Sequence, residues 1–459
     1  MLNKEQWKTF NPSKVEGKLC YHYCSRQSVL PIRDVLNDHY KGKKTEPNYE
    51  TATYNWCGKC NQLSINAAVN DNLSHILFAT KYCGCKKEFK DRYFIVGYYE
   101  IGWTTKVGKR TAIRAKNMCF VPVERAYEIT AERWRRINPK SQTPRLKNLR
   151  QATQRISGSL LDEIIGHLDQ GNAVDDFLHE VALLKAEYNP FDSVPKGRIF
   201  IINVGANTTN SLQSPLFENA TFEFVPIPEY QPIDNFAKIR TFADLKQFNA
   251  SEKPLMDLFP QLSKQANIQA HNDPEFITLT YGDNVVQKSN LQDLQKGDYL
   301  FFLARLVPYR TGKFHHNEAI FALVGYFEVD ECNDDPNSSL FISPAFLRNA
   351  HVKRWLVNPS SFTNFVVFKG STNSRRFRFA VPFNRELIEH VPFLKADGSF
   401  WDWGRTTELG IIGANTRTVR MYIDPNSKNG QERVERFWQF IFDTQKWSKN
   451  SAKKHCRPC

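Results

Sequence analysis

YLFFLAR, residues 299 to 305, followed after a loop by FALVGYFEV, residues 321 to 329, has a counterpart far upstream: HILFATK, residues 75 to 81, then YFIVGYYEI, residues 93 to 101. Each pair consists of two apolar runs rich in β-branched and aromatic residues, with the length and composition of buried strands. The second run of each pair shares a Val-Gly-Tyr-aromatic-Glu core. A glycine inside a strand marks a bulge or a close backbone approach, here Gly97 and Gly325. The pattern predicts one hairpin-like unit used twice, with the second loop four residues longer. Chance likeness between apolar strands is the competing explanation.

Helical spacing takes over between the two copies. Leu160, Leu161, Ile164, Ile165 and Leu168 fall on one stripe, as do Phe177, Val181 and Leu184. The prolines and glycine of 189–197 read as a linker into a second β domain. Ile199 to Val204 and Thr221 to Val225 read as strands there, and Phe276 to Thr280 as another. Short helices are expected at 255–262 and 291–294, and longer ones at 346–355 and 432–442. Strands are expected to return near 365–368 and 377–381.

At 459 residues, with 41% apolar residues and 34 Phe, 17 Tyr and 9 Trp, the chain is a folded protein of several domains, which excludes a disordered one. No apolar run reaches the length of a membrane span, and MLNKEQWKTF lacks a signal-peptide core, so the expectation is a cytoplasmic protein without a membrane partner. Lys and Arg total 62 against 48 Asp and Glu, a formal charge of +14 that favours polyanionic partners. Residues 133–155 hold Arg133, Arg135, Arg136, Lys147 and Arg150 among their cations without one acid. A second acid-free run carries Arg375, Arg376 and Arg378 interleaved with Phe377 and Phe379. A charge run alone is a solvated face; two of them, one laced with aromatics, point to a nucleic-acid backbone.

Six of the ten cysteines crowd the first fifth of the chain. Cys57-Gly-Lys-Cys60 and Cys83-Gly-Cys85 would bring four thiolates together from two tight turns, which suits a structural zinc ion. Cys20, Cys24 or the terminal Cys456 and Cys459 with His455 are alternative ligands, and unmetallated thiols the plainer reading. Cys119 reads as a buried apolar residue, and Cys332 lies among acids that would blunt a thiolate.

The stretch 206–214 is polar and uncharged between two apolar runs. Turn chemistry explains it at the least. Neutral donors and acceptors are also what a base edge requires, whereas charges would attract phosphate without discriminating bases. Pro226 and Pro228 remove amide donors along one strand edge, which is expected to stay open. Asn207, Thr208, Ser214 and Tyr281 are the candidate base-binding residues. Glu223 and Asp283 as general bases and Arg305 as a stabiliser of negative charge are the candidate catalytic set, all converging on one cleft. Taken singly, each has a plain reading: an ion-pair partner, a turn former, a strand-end cation.

VGANTTN (204–210), SPLF (214–217), TFEFVPIPEY (221–230), GDYLFFLARL (297–306) and LVGYFEV (323–329) resemble a nucleotide-modification-associated domain, a family found in gene neighbourhoods that modify DNA bases. SRRFRFAVPF (374–383) continues the likeness. The resemblance implies a small PUA- or ASCH-like β-barrel and a role in or beside DNA base modification, with DNA and other base-modification proteins as partners. The expected architecture is therefore α+β: a Cys-rich zinc-bearing barrel over 1–125, a basic helical segment over 126–190, and a nucleotide-modification-associated barrel with a closing helix over 198–459. The expected function is a DNA-binding component holding a modified or flipped base in the 205–305 cleft. One alternative is an enzyme editing that base, for example by converting a nitrile to an amide on a 7-deazaguanine; another is an RNA-binding barrel. His316-Asn-Glu318 is half of a zinc deaminase motif, but no Pro-Cys-x-x-Cys follows. Neither a P-loop, a dinucleotide fingerprint nor a nucleophile elbow occurs.

Overall fold

A computed structural model describes residues 7–21, 47–54, 65–82, 87–107, 110–144, 154–187, 194–205, 212–229, 240–250, 253–284, 290–335, 337–359, 365–394, 398–400 and 421–453. The chain forms two units, residues 3–184 with 339–347, and residues 185–338 with 348–459. The helical segment expected as a connector belongs to the first unit through residue 184.

In the first unit one sheet contains β1 (Lys8–Thr9), β2 (Lys14–Tyr21), β3 (Thr53–Tyr54), β4 (Leu73–Lys81), β5 (Tyr93–Val107), β6 (Arg110–Phe120), β7 (Tyr127–Glu128) and β8 (Arg155–Ser157), in the order β3-β6-β5-β4-β2-β8 with β1 and β7 on β5. Helices α1 (Ala131–Ile137), α2 (Gly158–Gln170) and α3 (Val174–Glu187) follow. Leu161, Ile164 and Leu168 of the expected α2 stripe pack on Leu77, Ile95 and Cys119 of the sheet. Trp134 and Ile137 of α1 close the same core.

The second unit holds β9 (Ile199–Asn203), β10 (Ser214–Leu216), β11 (Ile227–Pro228), β12 (Ala270–His271), β13 (Thr280–Asn284), β14 (Tyr299–Arg310), β15 (Lys313–Phe314), β16 (Ile320–Asn333), β17 (Phe365–Gly370), β18 (Arg375–Pro382) and β19 (Met421–Ile423). The main sheet runs β13-β17-β16-β14-β9-β19, with β10 and β15 on β14 and β18 on β16. β11 and β12 form a separate ribbon. Helices α4 (Ala350–Val357), α5 (Arg385–His390) and α6 (Gly430–Lys453) complete it. Val434, Phe437, Trp438 and Ile441, one stripe of α6, seal the core against Phe301, Tyr326 and Phe377.

The repeated sequence is a repeated structure. β4 and β5 pair antiparallel, Phe78 opposite Gly97, with a bulge between Phe78 and Ala79. β14 and β16 pair antiparallel, Phe302 opposite Gly325, with a bulge between Phe302 and Leu303. Each first strand also takes a parallel neighbour on its other side, β2 on β4 and β9 on β14. The glycines are needed for close approach: a Cβ on Gly97 would collide with the Cys119 carbonyl oxygen, and one on Gly325 would lie 2.6 Å from the Arg375 carbonyl oxygen. The α+β class holds, but barrel closure does not: among the described residues both strand paths are open.

Three local expectations are corrected. Residues 221–225 make isolated bridges instead of a strand, because the Glu223 carboxylate is drawn inward to the backbone of 248–249. Residues 276–279 form a turn, since Glu275 accepts the amides of Ile277 and Thr278 and Leu279 has a positive φ, so the strand begins at Thr280. The edge at Pro226 and Pro228 is occupied: Ile227 pairs with His271, and the Glu229 amide donates to the Gln269 carbonyl at 2.8 Å. Prolines two apart leave the intervening amides free to pair, which is what β12 uses. No helix among the described residues is long and apolar enough to cross a membrane.

Candidate functional site

That ribbon builds the most chemically dense place in the second unit. Pairing β11 with β12 sets Glu229 beside His271, and Oε2 of Glu229 accepts from Nδ1 of His271 at 2.9 Å. The other carboxylate oxygen receives Nη2 of Arg354, from α4. Nε2 of His271 faces Nε2 of His351 at 3.0 Å, the two rings standing edge to face at 81°. Oδ2 of Asp273 lies 3.4 Å from the same His351 nitrogen.

The start of α4 locks this arrangement. Asn349 caps the helix, its Oδ1 accepting the amides of His351 and Val352, as an N-cap amide side chain does for otherwise orphaned donors. Its Nδ2 donates to Oδ1 of Asp273 at 2.7 Å, and the Gly282 amide donates to the same oxygen at 3.1 Å. Residue 282 must be glycine, because a Cβ there would lie 2.6 Å from the His351 Cβ. Burial holds the Asp273 carboxyl well above the usual carboxylate range, against the donors from Gly282 and Asn349, and the nearby charges of Asp283 and Glu275 push the same way.

Next to this cluster opens a small cleft lined by Glu229, Arg240, Gln269, Asn272, Arg348 and Lys353. Burial, then the charges of Arg240 and Arg348, bring the Lys353 ammonium down to about 8, with Glu275 opposing. Burial alone would raise the Glu275 carboxyl. Arg348, with the hydroxyl and amide of Thr278, reverses this and holds it below its ordinary range. Among the described residues four cations, Arg240, Arg348, Lys353 and Arg354, gather about Glu229 and Glu275 in a concave, partly desolvated place suited to an anion.

The single cleft expected from the sequence is two places. Ser214 and Arg305 share a smaller pocket with Gly205, Gln213 and Val225. There the Ser214 hydroxyl accepts the Val225 amide, and Arg305 donates to Oε1 of Gln213 at 2.6 Å and to the His316 carbonyl. Burial depresses the Arg305 guanidinium. Tyr281 and Asp283 lie instead on β13, joined by a 3.2 Å hydrogen bond and flanking Gly282 of the histidine cluster. Glu223 is buried, its carboxylate accepting the amides of Phe248 and Asn249 at 2.8 and 3.0 Å and standing 3.4 Å from Arg376, so it pins a loop. Asn207 and Thr208 lie outside the described residues, as do Cys57, Cys60, Cys83 and Cys85.

The basic runs divide likewise. Arg375 and Arg376 are 3% and 4% exposed and cannot grip a backbone. Arg375 donates to the Tyr326 hydroxyl and to the Asn373 carbonyl, and Arg376 to the Phe222 carbonyl while stacked 3.8 Å over Phe248. Arg378 is half-buried against Phe379. Arg133 lies over Tyr127 and donates to the Glu128 carbonyl, Arg136 pairs with Glu163 at 2.7 Å, and Arg135 is exposed. Lys147 and Arg150 lie outside the described residues. Cys119 is buried as expected, its thiol donating to the Leu168 carbonyl and pushed far up by burial.

Sequence reasoning missed His271, Asp273 and His351. Their signal was thin: a His-x-Asp pair before a proline, and a histidine eighty residues on at a helix start. No curated protein and no solved structure matches the chain. Residues 198–375 match the family model of nucleotide modification associated domain 3, so the segment that carries both pockets belongs to that family.

Proposed function

We propose that the chain is a nucleotide-handling component of a DNA base-modification system, and that the cleft of Arg240, Arg348 and Lys353 takes the phosphate of its nucleotide. One observation carries the reading: three cations and the two amide side chains Gln269 and Asn272 converge on one concavity inside a nucleotide modification associated domain. The cations suit phosphate oxygens, and the amides suit the paired donor and acceptor of a base edge. The Ser214 and Arg305 pocket, whose other lining residues are uncharged, serves as a second place for a base. Arg135 and the basic run 145–150 of the first unit serve the nucleic-acid backbone, and Cys57, Cys60, Cys83 and Cys85 hold a structural zinc ion.

Equilibrium binding of a nucleoside, its 5′-monophosphate and a short single-stranded DNA tests this. Lys353→Met and Arg240→Met should each weaken phosphate-bearing ligands about tenfold to a hundredfold, the worth of a charge-assisted hydrogen bond, and leave the nucleoside unchanged. Equal loss for nucleoside and nucleotide would sink the assignment. Competition with RNA at fixed salt separates a DNA from an RNA partner. Mass spectrometry of nucleosides after incubation with modified-base DNA separates a reader from an enzyme: a changed base mass identifies the enzyme.

A further inference from the structure

Beyond the phosphate cleft, we propose that His271, Asp273 and His351 form a site for a divalent first-row transition metal, bound through the two Nε2 atoms and Oδ2 of Asp273. The inference stands on side-chain geometry and does not depend on what the neighbouring cleft binds.

The three donor atoms lie within 4.8 Å of one another. The Nε2 to Nε2 separation of 3.0 Å and the Nε2 to Oδ2 separation of 3.4 Å bracket the spacing between ligands on one tetrahedral ion; bonds of about 2.0–2.1 Å place neighbouring donors about 3.3 Å apart. The surroundings of His271 have the form that a metal-ligating histidine takes. His271 gives its Nδ1 proton to Glu229, which fixes the tautomer and leaves Nε2 as the basic nitrogen, and Arg354 holds Glu229 in turn. Asp273 is held at Oδ1 by Asn349 and shares the Gly282 amide between its two oxygens at 3.1 and 3.3 Å, and Oδ2 is the oxygen that lies 3.4 Å from His351.

A plain hydrogen bond between the two imidazoles is the competing account. It explains the 3.0 Å contact but not why a carboxylate oxygen closes the third corner, nor why Asn349 and Gly282 both secure that carboxylate. Two imidazoles and one carboxylate suit zinc, iron(II), manganese or cobalt, and three protein ligands leave room for an exogenous one. Ala270, Asn272 and Ala350, neighbours in sequence of the two histidines, line the cleft, so such a ligand would enter from that side.

The test is a Co²⁺ titration of the full chain after chelator treatment, read by visible absorption and by metal analysis. Cobalt on nitrogen and oxygen gives weak d–d bands without the intense thiolate charge-transfer band that cysteine ligation would add. The wild type should bind one thiolate-free equivalent, and His351→Gln and Asp273→Asn should each lose it while keeping the wild-type circular dichroism. A wild type lacking that equivalent, or folded variants that retain it, overturns the site. Should one variant lose its fold, the other decides.

Discussion

Glu223→Ala should cost stability rather than chemistry, and the size of the loss follows from what the carboxylate touches. Removing it strips the buried Phe248 amide of its acceptor, worth about 1–3 kcal/mol. It also leaves Arg376, 4% exposed, without its counter-charge; breaking a buried pair costs about 3–5 kcal/mol. The two losses overlap, because Arg376 keeps the Phe222 carbonyl at 2.7 Å and its place over the Phe248 ring. The net expectation is about 3–5 kcal/mol, or a melting temperature roughly 6–20 °C lower for a unit of this size. Glu223→Gln keeps one acceptor and should lose about 1–3 kcal/mol. Urea and thermal unfolding followed by tryptophan fluorescence give these values, and the Glu223→Leu, Arg376→Leu double variant should show a coupling of at least about 1 kcal/mol. A Glu223→Ala protein that unfolds within about 1 kcal/mol of wild type yet no longer processes or binds its nucleic acid would refute the structural role and return the residue to the reaction.

Other expectations follow from particular contacts. Gly325→Ala and Gly97→Ala should each destabilise their own unit by about 2–4 kcal/mol, since the added Cβ meets backbone of the facing strand; calorimetry should show the loss in one transition only. Gly282→Ala pushes on His351 and should weaken metal binding at least tenfold, measured by competition with a chelator, more than it lowers the melting temperature. Burial, opposed by Glu100 and Asp169, holds the His75 imidazole below its ordinary 6.5, so the unfolded chain binds the extra proton. The stability this gives is complete above pH 6.5 and is lost as the pH falls toward the lower folded value. His75→Gln should flatten the melting temperature of the first unit between about pH 5 and 7.

What was legible in the sequence is what local pattern determines. The Phe78 and Gly97 pairing and the Phe302 and Gly325 pairing could be anticipated because a glycine in an apolar strand has few other uses. The stripes on α2 and α3 were legible because helical spacing needs no partner to be seen. The candidate site was legible only at its margin, through Tyr281 and Asp283. His271 and His351 meet because β12 pairs with a strand read as unpairable, and because Asn349 both caps α4 and holds Asp273. Neither event leaves a periodicity. The arginines of 375–378 misled for a related reason: Arg376 is buried against Glu223 and Phe248, which come from two separate segments, and charge alone does not reveal burial.

The most direct measurement is a crystal structure of the chain grown with a nucleoside 5′-monophosphate. The account predicts phosphate density within hydrogen-bonding distance of Lys353 and Arg240, with the base against Gln269 or Asn272. Phosphate bound elsewhere, with this cleft holding only solvent at saturating nucleotide, would contradict it.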